Sequence, residues 1–263
     1  MTIFEKTYSM GISYAYKYIM QLSYLGTNFA GWQIQDNAKT IQGVLMEALK
    51  CIVNKDIPLI VGAGRTDSGV HAINFYAHFE WDEINIEQLK YKMNRFLPID
   101  IVIHSINRID IDFHARYSAK SRKYEYWLST VKDPFLINRA YFFEKTLNLE
   151  LMNLGAKMFI GKKDFSAFSK SKSPNSFCSI KSAYWVKSKN MLIFSIESDR
   201  FLYNMVRCIV GTLINLGLEK INLDQLSNIM LSYSRSHAGY SVPACGLYLV
   251  DIKYPKVFSL ESI

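Results

Sequence analysis

The 263-residue sequence predicts an α+β fold, two ferredoxin-like halves sharing one mainly antiparallel sheet with helices packed on it. The prediction rests first on element order, since strand–helix–strand–strand–helix–strand can be traced twice along the chain. It rests also on period, because short alternating runs are interleaved with apolar stretches of helical spacing. No Pro- or Gly-rich linker and no low-complexity tract divides the chain. The two halves share no sequence repeat, so the duplication is read from element order alone. A boundary near His114 to Ser121 gives halves of residues 1–116 and 117–263.

Tyr18, Met20, Leu22 and Tyr24 alternate with Ile19, Gln21 and Ser23, predicting a first strand over Tyr18–Leu25, and Gly26-Thr27-Asn28 then marks a turn. Ile41, Val44, Leu45, Ala48, Leu49 and Ile52 fall on one helical face behind Thr40, a suitable N-cap. A short strand over Leu59–Ala63 and a turn over Gly64–Gly69 lead into a longer strand in which Ile73, Phe75, Ala77, Phe79 and Trp81 share a face. Asn85 and Gln88 resemble a capping box ahead of a helix carrying Ile86, Leu89, Met93 and Phe96. Ile101–Ile106 returns as a strand.

In the second half, Arg122–Ser129 reads as a strand and Leu149–Ile160 as a helix. Two strands (Lys181–Val186, Met191–Glu197) precede a long apolar helix over Phe201–Leu216 and a shorter one over Leu223–Leu231. Leu247–Tyr254 closes the order as a strand.

Composition narrows the function classes. The 31 Lys and Arg against 23 Asp and Glu leave a formal charge of +8. That suits a polyanionic partner, and equally a solvated lysine-rich surface. Cys51, Cys178, Cys208 and Cys245 are scattered without a C-x-x-C pair, and the five histidines lack metal-ligand spacing, so no metal site is expected. Met1–Met20 mixes Glu5, Lys6, Lys17 and four tyrosines and lacks a signal-peptide core. No apolar run approaches the roughly 20 residues of a membrane span. A cytoplasmic protein with free thiols is expected.

The stretch with the most chemical content is Ala63-Gly64-Arg65-Thr66-Asp67-Ser68-Gly69-Val70-His71-Ala72. It is not a phosphate loop, since Val70-His71 stand where Lys and Ser/Thr are needed and a strand follows. By itself it could be a hairpin turn whose aspartate satisfies its own backbone.

Together with other segments in the same order, however, it resembles the signature loop of the tRNA pseudouridine synthase A family. These segments are YLGTNFAGWQ at 24–33 with Thr40-Ile41-Gln42, LPIDI at 97–101, DFHAR at 112–116 and Arg122-Lys123-Tyr124. GKKDFSAF at 161–168, FLYNMVRCIVG at 201–211 and GLYLV at 246–250 continue the series. The resemblance covers Tyr18 to Tyr254. Two departures stand out. Ser68 takes a place where the family more often has alanine, and Asp199-Arg200 one where small and amide residues are common.

The resemblance implies an isomerase that breaks the N1–C1′ bond of a uridine in tRNA, turns the uracil and rejoins it through C5. No electrons are gained or lost overall, so no cofactor is expected. It implies Asp67 as the catalytic carboxylate, acting either as a nucleophile at C1′ or by removing a neighbouring proton. Arg65 is implied to fill the space left by the flipped base, its alternatives being a phosphate contact or a surface arginine. Tyr124 is implied to stack on the uracil and Leu247 to lie beneath it, although either could serve as core. Arg207 is the one cation in a helix otherwise apolar almost all round, and it needs either a partner or a route to solvent. The family places Asp67 opposite it, and an ionised Asp67 is expected. The family also implies a homodimer and a target on the 3′ side of the anticodon stem-loop. A paralogue acting on other tRNA uridines, and a noncatalytic ferredoxin-like RNA-binding module, are the alternative readings. The module's RNP-type aromatic motif is missing from the sequence.

Overall fold

The structure, a computed structural model, describes residues 14–172 and 174–258. Most of the N-terminal stretch read above for a signal peptide lies outside the described residues. The described residues form two compact units, residues 14–120 with 252–258, and residues between 121 and 251.

In the first unit the elements run β1 (Tyr16–Tyr24), α1 (Ile41–Val53), β2 (Val61–Gly62), β3 (His71–Trp81), α2 (Ile86–Phe96) and β4 (Ile101–Ile109). β1 pairs antiparallel with β3 on one side and β4 on the other, and β2 pairs antiparallel with β3. This is the 4-1-3-2 order of a ferredoxin-like sheet. Thr40 caps α1 as predicted, its hydroxyl accepting the Gly43 N–H at 3.2 Å. Asn85 caps α2 by accepting the Gln88 N–H at 3.0 Å. The core is aromatic: Tyr18 stacks on Phe79 at 5.4 Å between centroids, and Trp32 lies 4.3 Å from Phe75.

The second unit runs β5 (Ser121–Ser129), β6 (Tyr141–Phe142), α3 (Leu149–Met158), β7 (Gly161–Asp164), β8 (Phe177–Ser188), β9 (Met191–Ser198), α4 (Met205–Gly217), α5 (Leu223–Leu231) and β10 (Leu247–Lys253), most of which belongs here. Its strand order is β10-β5-β9-β8-β7. Apart from the edge strand β7, that repeats the order of the first unit. Helix α3 packs on α4, α5 and β8. The α+β class and the mainly antiparallel pairing are as the sequence predicts.

Two expectations are corrected. Ile73, expected to share a face of β3 with Phe75, Ala77, Phe79 and Trp81, is 46% exposed where those four are buried, while His71 and Ala72 are both buried. The cause is a register shift between Leu22 and Tyr24, where Leu22 faces Phe75 but Tyr24 faces Ala72. A bulge of this kind reverses the in–out parity beyond it. The long helix starts at Met205 rather than Phe201, because Asn204 takes a left-handed φ of 64° that a right-handed helix cannot continue through. A reciprocal capping box forms at Asn222 and Gln225, a pair the sequence reading passed over.

One buried histidine is expected to make the first unit acid-sensitive. His78, on β3, is 5% exposed and its Nδ1 accepts the Ala115 N–H at 3.1 Å. Burial, the His114 ring 4.9 Å away and Lys17 push its pKa down to about 3, against an ordinary value near 6.5. Between those values the unfolded chain holds a proton that the folded chain refuses. The contribution of His78 to stability is therefore complete above about pH 6.5 and is lost as pH drops toward 3, by roughly 1.4 kcal/mol for each pH unit crossed. His78→Asn, which offers an acceptor to Ala115 without titrating, is expected to flatten the acid limb of a plot of denaturation midpoint against pH. An unchanged limb would place the acid sensitivity elsewhere.

Candidate active site

The loop that carries Asp67 is held by its main chain. The Ala63 N–H donates to the Tyr76 carbonyl at 2.8 Å, which fixes the loop's entry to β3. The Thr66 carbonyl accepts the Trp32 N–H at 3.1 Å, and the Phe29 carbonyl accepts the Gly69 N–H at 3.2 Å. The turn closes on itself where the Val70 N–H donates to the Asp67 carbonyl at 3.1 Å. Gly69, third in that turn, has φ 78°, which L-residues rarely adopt.

The facing segment, 24–33, is shaped to grip this loop. Gly31 has φ 88°, and a Cβ there would lie 2.4 Å from the Thr66 carbonyl oxygen, so only glycine allows the approach. The Tyr24 and Thr66 hydroxyls are 2.9 Å apart in a buried hydrogen bond, and the Gly26 N–H donates to Nδ1 of the buried His71 at 2.9 Å. Gln42, on α1, anchors the segment from behind. Its side chain accepts the Ile34 N–H at 3.0 Å and donates to the Ile60 carbonyl at 2.7 Å. These bonds give the glycines, Trp32 and Thr40-Ile41-Gln42 a shared purpose, to hold one turn rigid. On that turn Asp67 is half-buried and Arg65 exposed.

Tyr124, Arg207 and Leu247 belong to the second unit. Tyr124 lies on β5 opposite Ile196 of β9, half-buried, with Phe201 edge-on at 5.1 Å. Tyr126 and Leu128 share its face and are fully buried, which makes them core where Tyr124 is not. The Tyr126 hydroxyl donates to the Pro243 carbonyl at 2.9 Å, and burial raises its pKa above that of an ordinary phenol. Arg207, in the first turn of α4, is half-buried among fully buried neighbours. Its Nε donates to the Val242 carbonyl at 2.7 Å and its own carbonyl accepts the Val242 N–H, tying the helix to the 241–243 segment. Leu247 is 5% exposed at the start of β10.

Asp199 proves structural. Its Oδ1 accepts the N–H groups of Ser179 and Arg200 and the Ser198 hydroxyl, closing the end of the β8–β9 pair.

A family model described as tRNA pseudouridine synthase matches residues 20–118 and 156–255. The chain belongs to the tRNA pseudouridine synthase family. It is 42% identical over 251 residues to a tRNA pseudouridine synthase A of Parabacteroides distasonis, covering 94% of this chain and 99% of that one. A protein of the same description from Acetivibrio thermocellus is 42% identical over 238 residues, 89% of this chain and 97% of its own. One from Porphyromonas gingivalis is 39% identical over 246 residues, 91% and 97% of the two chains.

As a member of this family the chain is an isomerase that makes pseudouridine in tRNA. Among the described residues no helix is long and apolar enough to cross a membrane, and no three His, Cys, Asp or Glu side chains gather where they could hold a metal ion. Sequence reasoning placed Gly31, Gln42, Thr66 and His71 in the resembling segments but gave them no part in positioning the loop of this pseudouridine synthase. Gln42 carried the usable signal, as an amide on the apolar side of an amphipathic helix.

Proposed function

We propose that this pseudouridine synthase converts uridine on the 3′ side of the anticodon stem-loop of tRNA, with Asp67 as its catalytic carboxylate. The observation that carries the reading is the half-buried carboxylate of Asp67 on a turn held by main-chain bonds from two sides. A rigid turn keeps one oxygen aimed at one place, which a sugar carbon gaining positive charge requires.

In the proposed reaction the target uridine leaves its stack, at a cost of roughly a few kcal/mol, and Arg65 fills the gap. The N1–C1′ bond breaks while Asp67 either bonds to C1′ or removes a neighbouring proton. The uracil turns against the Tyr124 ring with Leu247 beneath it. The C5–C1′ bond then forms as Asp67 leaves C1′ or returns the proton it removed, C5 loses its proton and N1 gains one, with the Tyr124 hydroxyl a candidate carrier. Arg207 is the cation proposed to keep Asp67 ionised. In this reading the first half supplies the aspartate loop, and the second the tyrosine strand and the arginine helix.

The protein is further proposed to work as a cytoplasmic homodimer, because a tRNA spans more surface than one small subunit offers. The excess positive charge supports an affinity that falls steeply with salt.

The test is to incubate the purified protein with unmodified tRNA and map pseudouridine along the whole molecule. Product confined to the 3′ side of the anticodon stem-loop is expected. Product confined to another part of the tRNA would overturn the assigned position.

A further inference from the structure

The second unit contains a cleft that the proposed chemistry does not use. It has a volume of about 540 Å³ and lies between the residues following β7 and those following α5. Lys170, Lys172 and Arg235 line it, with Asp164 as the single acid. Both Asp164 oxygens are engaged, Oδ1 by the Ser166 N–H at 2.7 Å and Oδ2 by the Ser176 hydroxyl at 2.6 Å. Neither lysine is ion-paired among the described residues, so positive charge predominates.

One buried polar atom in the lining, Nε of Arg235, has no hydrogen-bond partner among the described residues. The rest of the Arg235 guanidinium is fixed, Nη1 donating to the Ala238 carbonyl at 3.3 Å and Nη2 to the Ser241 hydroxyl at 3.2 Å. Its free N–H is thus held in place. A buried donor without a partner is destabilising, and such groups in native proteins call for an explanation.

We propose that this cleft binds a phosphodiester of the substrate RNA, remote in sequence from Asp67. A phosphate carries only acceptors. It matches an arginine N–H fixed in place with a hydrogen to give, backed by two lysine charges. The cleft is larger than one phosphate, and Tyr233 at its rim is 60% exposed, which offers a ring for the adjoining base. Recognition here is of backbone and stacking, so the cleft adds affinity and register without reading sequence. That the ligand is tRNA rests on the function proposed above.

The experiment measures binding of unmodified tRNA across a salt series and pseudouridine formation in the same samples. It compares the wild type with the exposed pair Lys170→Gln/Lys172→Gln. Lys187→Gln/Lys189→Gln, at the β8–β9 turn, removes equal charge elsewhere in the unit. The first pair is expected to bind roughly tenfold more weakly near 0.1 M salt, with a slope of log affinity on log salt shallower by about one to two. Its turnover at saturating tRNA should match the wild type. Unchanged affinity and slope in the Lys170/Lys172 pair, or an equal loss in the control pair, would overturn the proposal. A wild type that binds tRNA but forms no pseudouridine would defeat the functional reading and leave the binding comparison intact.

Discussion

Replacing Asp67 with asparagine is expected to abolish pseudouridine formation while leaving tRNA binding near the wild-type level. The turn is held by the main chain of residues 63–70 and by Thr66, Gly69 and Val70, and the Asp67 carbonyl closes it whichever side chain is attached. Asparagine keeps the shape and removes the anion, so the fold should be retained. Loss of a group that attacks the sugar or removes a proton costs on the order of 10⁴-fold or more in turnover. Single-turnover assays on protein from a host lacking any endogenous enzyme give the number. Substantial residual activity would remove Asp67 from the chemistry.

The second large effect is expected at Arg207. If this arginine keeps Asp67 ionised, Arg207→Met should lower turnover by about 10²- to 10³-fold, the usual cost of losing one preorganised electrostatic group. Arg207→Lys should be milder, since lysine keeps the charge and loses the planar fork. Arg207 also has a structural bond, from Nε to the Val242 carbonyl, whose loss is worth about 1 kcal/mol. Thermal denaturation separates the two roles. A purely structural arginine would lower the melting temperature in both variants alike, with activity recovered at lower temperature. An electrostatic one would leave the activity gap between Met and Lys at every temperature. A fully active Arg207→Met enzyme would defeat the proposal.

How far the sequence could be read depends on what the information was local to. Caps and helix faces are set within a turn or two. Thr40 and Asn85 were therefore legible, and so were the apolar stripes of α1 and α4. The bulge beside Tyr24 was not, because it comes from the pairing of two strands some fifty residues apart, and it cost Ile73 its assigned place. The start of α4 was missed for the opposite reason. Phe201 and Leu202 continue the apolar run, and only the backbone at Asn204 shows that the helix has not begun.

The candidate site divides in the same way. Asp67 was found through the resemblance of its loop, since a lone aspartate between glycines can equally be a turn. What holds the turn is a set of contacts between segments distant in sequence, Gly31 against Thr66, Gly26 on His71, and Gln42 reaching Ile34 and Ile60. Composition carries no trace of them. Asp199 shows the converse, a departure from the family's pattern whose carboxylate is spent on closing a strand pair.

The central claim is that this chain moves the glycosidic bond of a tRNA uridine from N1 to C5, and tritium release tests it most directly. Carbon 5 must lose its hydrogen when it joins the sugar, so tRNA labelled with tritium at uridine C5 reports the bond change itself. The account predicts that the purified protein releases one tritium into water for each pseudouridine formed, and that the Asp67→Asn protein releases none. Wild-type protein that binds the labelled tRNA and releases no tritium would contradict it.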